Sequence, residues 1–294
     1  CALEGSRMRP PYPTTAPSLP AERGVEGCKS LKFELLHLEE DRIRFLLSGV
    51  TAAFANGIRR ACMSEVPVLA IDEISLYDNT SVLFDEQIAL RLGEVPLKSD
   101  ELDQFSMPDD CQCSGVGCPG CRVDFMLSAE GPGMVYSRDI VFTDPLVKPA
   151  FDKIPIVVLG EGEKLVIEGY ATKHVGKEHS KWQAGTLCGY KNLPDISVSQ
   201  SCDGCGRCVE VCPRAVLEIV DGRAKATNTL ECSLCKLCID ACEPGAITLR
   251  PVLDSFILSI ESCGSIAAKD LVAMASEEIQ KRAEDLDAKL AELA

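Results

Sequence analysis

Phe54-Ala-Asn-Gly-Ile-Arg-Arg-Ala-Cys-Met-Ser-Glu-Val-Pro67 sets Phe54, Ile58 and the Ala61/Cys62 pair at helical spacing and closes on a proline. The pattern predicts a helix with one apolar stripe that stops short of Pro67. Upstream, Leu31, Phe33 and Leu35 take alternate positions, and so do Ile43, Phe45 and Leu47. With the polar Glu39–Glu40–Asp41–Arg42 turn between them they read as a hairpin. Downstream, Val68–Leu76, Val123–Leu127, Val135–Phe142 and Leu165–Thr172 read as strands, with one helix at Asp85–Leu92. Phe256, Leu258 and Ile260 alternate as a further strand. A long helix follows from about Ala267, with Leu271, Ala275, Ile279, Leu286, Leu290 and Leu293 on one stripe. Such a stripe packs either on its own domain or on a partner chain. Residues 1–28 carry Pro10, Pro11, Pro13, Pro17 and Pro20 and little apolar periodicity, and read as a disordered or non-native extension.

With 294 residues the chain is long enough for two or three domains. A formal net charge of −15 disfavours a direct grip on nucleic-acid phosphates, so no DNA binding is expected of this chain. Most of its 17 cysteines are clustered, largely as C-x-x-C repeats, a pattern of metal binding in a reducing compartment rather than of a disulfide framework. No long apolar run marks a membrane span or signal peptide, which leaves the cytoplasm as the expected location.

Cys202-Asp-Gly-Cys205-Gly-Arg-Cys208-Val-Glu-Val-Cys212-Pro213 is C-x₂-C-x₂-C-x₃-C-P, and Cys232-Ser-Leu-Cys235-Lys-Leu-Cys238-Ile-Asp-Ala-Cys242-Glu-Pro244 repeats it with one residue inserted before the proline. The short spacings point three thiolates at one iron–sulfur cube, and the fourth cysteine of each run faces the other cube. This assigns Cys202, Cys205, Cys208 and Cys242 to one [4Fe-4S] cluster and Cys232, Cys235, Cys238 and Cys212 to a second. Val216–Val220, the Asp221–Gly222 turn and Arg223–Ala226 read as a hairpin between the runs. Paired zinc knuckles are the alternative use of such cysteines.

Cys111-Gln-Cys113-Ser-Gly-Val-Gly-Cys118-Pro-Gly-Cys121 offers four more thiolates, with Gly115, Gly117 and Gly120 to let the loop close. Four cysteines without histidine suit a closed structural Zn²⁺ site, or else stand as reduced surface thiols. Cys1, Cys28, Cys62, Cys188 and Cys263 are isolated and read as packing residues or tail thiols. No dinucleotide fingerprint, phosphate loop or nucleophile elbow is present, and Gly160-Glu-Gly-Glu-Lys164 reads as an exposed turn. His37, His174 and His179 read as surface or hydrogen-bonding residues rather than bases.

The helix Phe54–Pro67 and the strand into Ala70-Ile-Asp-Glu-Ile74 resemble the first helix and strand of the alpha-type assembly subunits of multisubunit RNA polymerases. Phe256-Ile-Leu-Ser-Ile-Glu-Ser-Cys-Gly-Ser265 and its helix look like the returning half of the same domain. Gly176-Lys-Glu-His-Ser-Lys-Trp182 is similar to a signature in the inserted domain of archaeal and eukaryotic members. The loop at 111–121 resembles the eukaryotic zinc loop, with a longer central spacer. A ferredoxin-like block between the two halves marks the archaeal version, and the resemblance covers about residues 30–294. It implies an α+β, alpha-subunit-like fold: a bipartite dimerisation domain at 29–66 and 251–294, a mainly-β insert at 67–198 and a two-cluster ferredoxin-like domain at 199–250. It further implies a non-catalytic scaffold of DNA-directed RNA polymerase. That scaffold pairs with the small subunit L and nucleates docking of the large catalytic subunits, with subunits N and P nearby. Arg59 and Arg60 would contact a large subunit, and Leu271, Ile279 and Leu286 a partner helix. The competing readings are an iron–sulfur electron-transfer subunit of an oxidoreductase and a free-standing adaptor.

Overall fold

A computed structural model describes residues 30–99, 104–114 and 116–293; the extension read at 1–28, with Cys1 and Cys28, and Gly115 lie outside the described residues. The architecture is α+β. The hairpin forms as β1 (Lys32–Leu38) and β2 (Arg42–Ser48). The helix α1 (Ala52–Ser64) follows, and the Thr51 hydroxyl caps it by accepting from the Phe54 N–H. Its buried stripe is Ala55, Ile58, Ala61 and Cys62, whereas Phe54, expected in that stripe, stands exposed. The small Ala55 lets the helix lie close to the sheet and rotates Phe54 out of the contact.

Two strands far apart in sequence complete the first sheet. β12 (Ile247–Ser262) pairs with β2 and with β9 (Gly185–Val198), all antiparallel, in the order β1-β2-β12-β9. Register puts Leu47, Phe45 and Ile43 opposite Phe256, Leu258 and Ile260, and all six side chains are buried. They form one apolar face under α1 and α5 (Ala268–Ala291), the long C-terminal helix. β9 lies within the stretch read as the insert, yet it is an edge strand of this sheet.

β9 and β12 then run on together beyond the sheet. Leu193–Val198 pair only with Ile247–Val252 there, forming a two-stranded stem into the cysteine-rich block. Pro194 lies directly opposite Pro251, and the register shifts between Val252 and Phe256. Opposed prolines fit a non-hydrogen-bonded pair of an antiparallel ladder, and the stem leaves the sheet where β12 bulges at Leu253–Ser255 relative to β9.

The intervening residues build a second sheet, β3-β8-β4-β6, from β3 (Pro67–Asn79), β8 (Lys164–Val175), β4 (Arg122–Glu130) and β6 (Val141–Phe142). The strand read at Val135–Phe142 is broken. β5 (Gly133–Tyr136) leaves to pair with β7 (Pro155–Leu159), because the Asp139 carboxylate accepts from the Tyr136 N–H at 2.7 Å and folds 137–139 into a tight turn. The helix α2 (Asp85–Gly93) buries Ile88 and Leu92 beside it. Gly160–Lys164 forms the turn from β7 to β8, with the Gly160 N–H donating to the Glu163 carboxylate.

The stretch Gly176–Trp182 ties the second sheet to α1. A Cβ at Gly176 would lie 2.2 Å from the Met63 carbonyl oxygen, and the Lys177 N–H caps the Ser64 carbonyl at the helix end. Lys181 reaches Asp72 of β3 at 2.7 Å, while Trp182 stacks on His174 and donates from Nε1 to the Thr172 carbonyl. Among the described residues, no helix is long and apolar enough to cross a membrane.

Phe256 lies on the shared apolar face at 1 % exposure, so Phe256→Ala removes about 3–5 kcal/mol from folding. Urea unfolding of the purified, reduced chain checks this. The same change at exposed Val82 leaves stability within about 0.5 kcal/mol.

Candidate dimerisation face and metal centres

The apolar face of the first sheet is wider than the helices that cover it. α1 lies over β9 and β12, and α5 over β12 and β2. β1 continues the same face, because Phe33, Leu35 and Leu38 stand opposite buried Leu47, Phe45 and Ile43. Yet Phe33, Leu35 and Leu38 are exposed, together with Leu31 and with Phe54 of α1. Phe33 stacks on Phe45 at 5.1 Å, which holds the open ledge in the plane of the core. Periodicity identified these residues as strand but carried no signal that they lack cover.

The stripe on α5 divides. Leu271 and Ala275 are fully buried within their own domain and Ile279 packs partly on it, whereas Leu286 is 59 % exposed and Leu290 and Leu293 are also exposed. Leu271 is therefore closed to a partner in this fold, and the distal leucines are open to one. Arg282 pairs with Glu65 and fixes α5 to the end of α1 at the boundary between the two halves. Arg59 folds back along α1, donating to Asn56 at 3.0 Å and lying 3.4 Å from the Met63 sulfur, while Arg60 is exposed.

The opposite face of the sheet carries the cysteine-rich block. Two short helices, α3 (Arg207–Glu210) and α4 (Leu237–Asp240), repeat at the same place in each run, and β10 (Leu217–Val220) pairs with β11 (Arg223–Ala226) between them. The repeat reaches the backbone. Gly204 and Gly206 adopt left-handed φ of 73° and 81°, and Leu234 and Lys236 take the matching positions at 59° and 67°. Non-glycine residues enter that region only when the surroundings dictate it.

Burial, and then Cys202, Cys205 and Cys242, push the Cys208 thiol up; burial, and then Cys232, Cys212 and Cys235, do the same to Cys238. Each thiol thus has its neighbours in the crossed set. Cys212, Cys232, Cys235 and Cys238 line a single apolar cavity with Ile196, Val216, Leu217 and Leu249. Arg44 of β2 and Lys191 of β9 clamp this block to the sheet. Arg44 pairs with Glu231 and donates to the Leu230 carbonyl at 2.9 Å, and the Lys191 ammonium donates to the carbonyls of Leu230 and Cys232, both at 2.7 Å. Burial, with Arg44 beside it, lowers the pKa of Lys191. Neither clamp residue shows in the sequence, because the sheet and the block meet only after folding.

The loop after β3 and α2 is tighter. Cys111 and Cys118 bring their sulfurs to 3.5 Å, Cys113 and Cys121 to 3.5 Å, and Cys118 and Cys121 to 3.9 Å. All four ligand atoms lie within 4.8 Å of one another, and among the described residues the eight thiols of the two runs form no comparable group. A tetrahedral ion with Zn–S bonds of about 2.3 Å needs sulfurs about 3.8 Å apart. The loop fits a single ion, and the eight thiols of the runs do not close to that spacing. The Gly117 backbone N–H and the other thiols lower Cys113 to about 6, while burial pushes Cys121 up to about 12. Four thiols could therefore hold a metal here.

Comparison with known proteins agrees with this geometry. Residues 44–283 match the RNA polymerase Rpb3/Rpb11 dimerisation domain. The chain belongs to that family. It is 45 % identical to the DNA-directed RNA polymerase subunit Rpo3 of Methanosarcina acetivorans over 267 residues, 90 % of this chain and 100 % of the relative. The Methanosarcina mazei Rpo3 matches at 45 % over the same span, and that of Archaeoglobus fulgidus at 38 % over 256 residues, 87 % of this chain and 96 % of the relative. In an Rpb3/Rpb11 dimerisation-domain protein, a half-covered apolar sheet face is what remains when one of two pairing chains is viewed alone. The Gly176–Trp182 stretch is structural in this setting, since its side chains lock β3, β8 and α1 together. His37 is exposed beside Glu39 at 3.0 Å, His174 lies 2.7 Å from Glu178, and His179 accepts from the Lys181 N–H.

In metal-free protein at pH 7, iodoacetamide modifies Cys113 well ahead of Cys121, and peptide mass spectrometry reads the ratio. Because Cys113 is lowered from 9.0 to about 6, its thiolate persists from high pH down to that value and is lost as pH falls through it. Loading with zinc protects all four cysteines, and equal labelling of Cys113 and Cys121 would contradict the arrangement.

Proposed function

We propose that this chain is a cytoplasmic, non-catalytic assembly subunit of an archaeal DNA-dependent RNA polymerase, pairing with the small subunit L through the open apolar face. The observation that carries this is the ledge itself. Residues 30–66, 185–198 and 247–293 close into one helix-covered sheet, and that sheet leaves Leu31, Phe33, Leu35, Leu38 and Phe54 exposed beside the distal leucines of α5. Burying such a surface contributes about 25 cal/mol per Å² before the costs of association. The relatives' names as RNA polymerase subunits support the same reading.

The heterodimer then presents α1 to the large catalytic subunits, with subunits N and P docking nearby. Arg60 is exposed on α1 and Arg59 lies along it, which suits both to an acidic partner surface. The second sheet and its loops, within residues 67–184, act as a spacer domain stiffened by one Zn²⁺ on Cys111, Cys113, Cys118 and Cys121. The 199–250 segment holds two [4Fe-4S] clusters, one on Cys202, Cys205, Cys208 and Cys242 and the other on Cys212, Cys232, Cys235 and Cys238. Supporting this is the crossed grouping of the thiols, spaced too widely for a mononuclear ion. When bound, the clusters supply a covalent frame to a block whose own apolar core is small.

Reversing both charges, Arg59→Glu with Arg60→Glu, weakens capture of the large subunits in reconstitution while subunit L stays bound; intact assembly would refute the docking role. Leu286→Asp with Leu290→Asp acts in the opposite way, abolishing the L heterodimer on size-exclusion chromatography without unfolding the chain. Changing Cys205 and Cys235 to Ser lowers polymerase yield, the more so in oxygen. Unchanged assembly in air and under nitrogen would remove the structural role of the clusters.

A further inference from the structure

The two crossed cysteine sets are nearly matched. Each receives two backbone N–H donors on sulfur: Ala224 to Cys202 at 3.4 Å and Ala246 to Cys242 at 3.2 Å on one side, Val216 to Cys212 at 3.5 Å and Leu234 to Cys232 at 3.4 Å on the other. Each also leaves one cysteine exposed, Cys205 or Cys235. Iron–sulfur potentials respond to hydrogen bonds on sulfur, solvent exposure and local charge. With the first two balanced, charge decides.

The surroundings differ sharply in charge. Beside the first set, the Asp203 carboxylate accepts from the Cys205 N–H at 3.1 Å and Arg207 is taken up by Glu243, while Arg223 and Lys225, on either side of Ala224, are exposed to solvent. Beside the second set, Arg214 and Lys236 line the cavity that the four thiols share. Lys191 donates to the carbonyl of the ligand residue Cys232 at 2.7 Å, and Arg44 holds the adjoining turn. The acids on this side are Glu231, already paired with Arg44, and Asp240 near Cys235. Positive charge stabilises the more negative, reduced form of a cluster.

Resting on the two-cluster reading above, we infer that the site of Cys212, Cys232, Cys235 and Cys238 is the more easily reduced of the two. Lys191 is the positioning residue that makes it so, while tying that site's loop to the dimerisation sheet. The second site is thereby the one whose electronic state and occupancy are felt by β9, and through β9 by the partner-binding fold. Loss of the Lys191 contacts would loosen the Cys232 loop from the sheet, and among the described residues no lysine or arginine side chain is seen to tie the Cys202 loop to it.

The test is a potentiometric titration of the full chain, reconstituted anaerobically with iron and sulfide and followed by electron paramagnetic resonance. Cys205→Ser and Cys235→Ser variants assign each signal to its site. Two reduction steps are expected, the higher belonging to the Cys232 set. Lys191→Met moves that step alone to lower potential, and Lys191→Arg restores it. Arg214→Gln shifts the same step without removing the Lys191 bonds, so a folding defect at position 191 does not mask the result. A single shared potential, the reverse order, or equal movement of both steps in Lys191→Met overturns the inference. Iron and sulfide analysis separates this from the reading beneath it. A fully loaded chain with unsplit potentials sinks only the asymmetry, whereas a chain that takes up no iron and sulfide sinks both.

Discussion

The antiparallel pairing of β9 with β12 holds the molecule together. β12 is an interior strand of the first sheet, taking β2 on one edge and β9 on the other, and it brings the C-terminal part of the chain into register with the N-terminal hairpin. Without it the hairpin β1–β2 would be an isolated ribbon, which is marginal in water. The same two strands reach past the sheet and carry the cysteine-rich block as a stem. The helix α5 packs on α1, β2 and β12, with Phe256, Leu258 and Ile260 in the same buried core.

A sheet with two differently used faces explains how an acidic chain organises several contacts. The helix face is apolar and extends past its own helices, so it is suited to burial against a second chain of similar fold. The opposite face presents Arg44 and Lys191, whose charges are spent on carbonyls and one carboxylate of the cysteine-rich block. Two positive charges of the sheet are thus turned onto the block of thiols. A single layer of backbone separates the open apolar face from the cysteine-rich block.

Much of this was legible in the residues. The alternation in β1, β2 and β12, the helix α1, the long α5 and the repeated cysteine spacing all express local periodicity or local geometry. β9 was not legible, because Gly185, Gly189 and Pro194 erase the strand signal and the segment is held straight by β12, distant in sequence. Phe54 misled, since helical spacing gives a stripe but not which of two adjacent residues faces the core. Val135–Phe142 misled for a different reason: the Asp139 carboxylate captures a backbone N–H and turns the chain. At the candidate site the thiols announced themselves, and the charges around them did not. Lys191, Arg44 and Arg214 come from three separate segments and acquire meaning only together.

The bulge at the foot of the stem has a consequence for cooperativity. β12 leaves its register with β9 between Val252 and Phe256, so the ladder of the stem and that of the sheet do not run on without interruption. Hydrogen-bonded strands normally transmit unfolding from one end to the other, and a bulge weakens that transmission. The sheet and the cysteine-rich block are therefore two separately opening units strung on the same pair of strands. Amide exchange in Val198 and Ile247 reports on the block, and exchange in Tyr190 and Leu258 reports on the sheet. A disturbance of the former reaches the sheet through the Arg44 and Lys191 contacts rather than by unzipping the ladder.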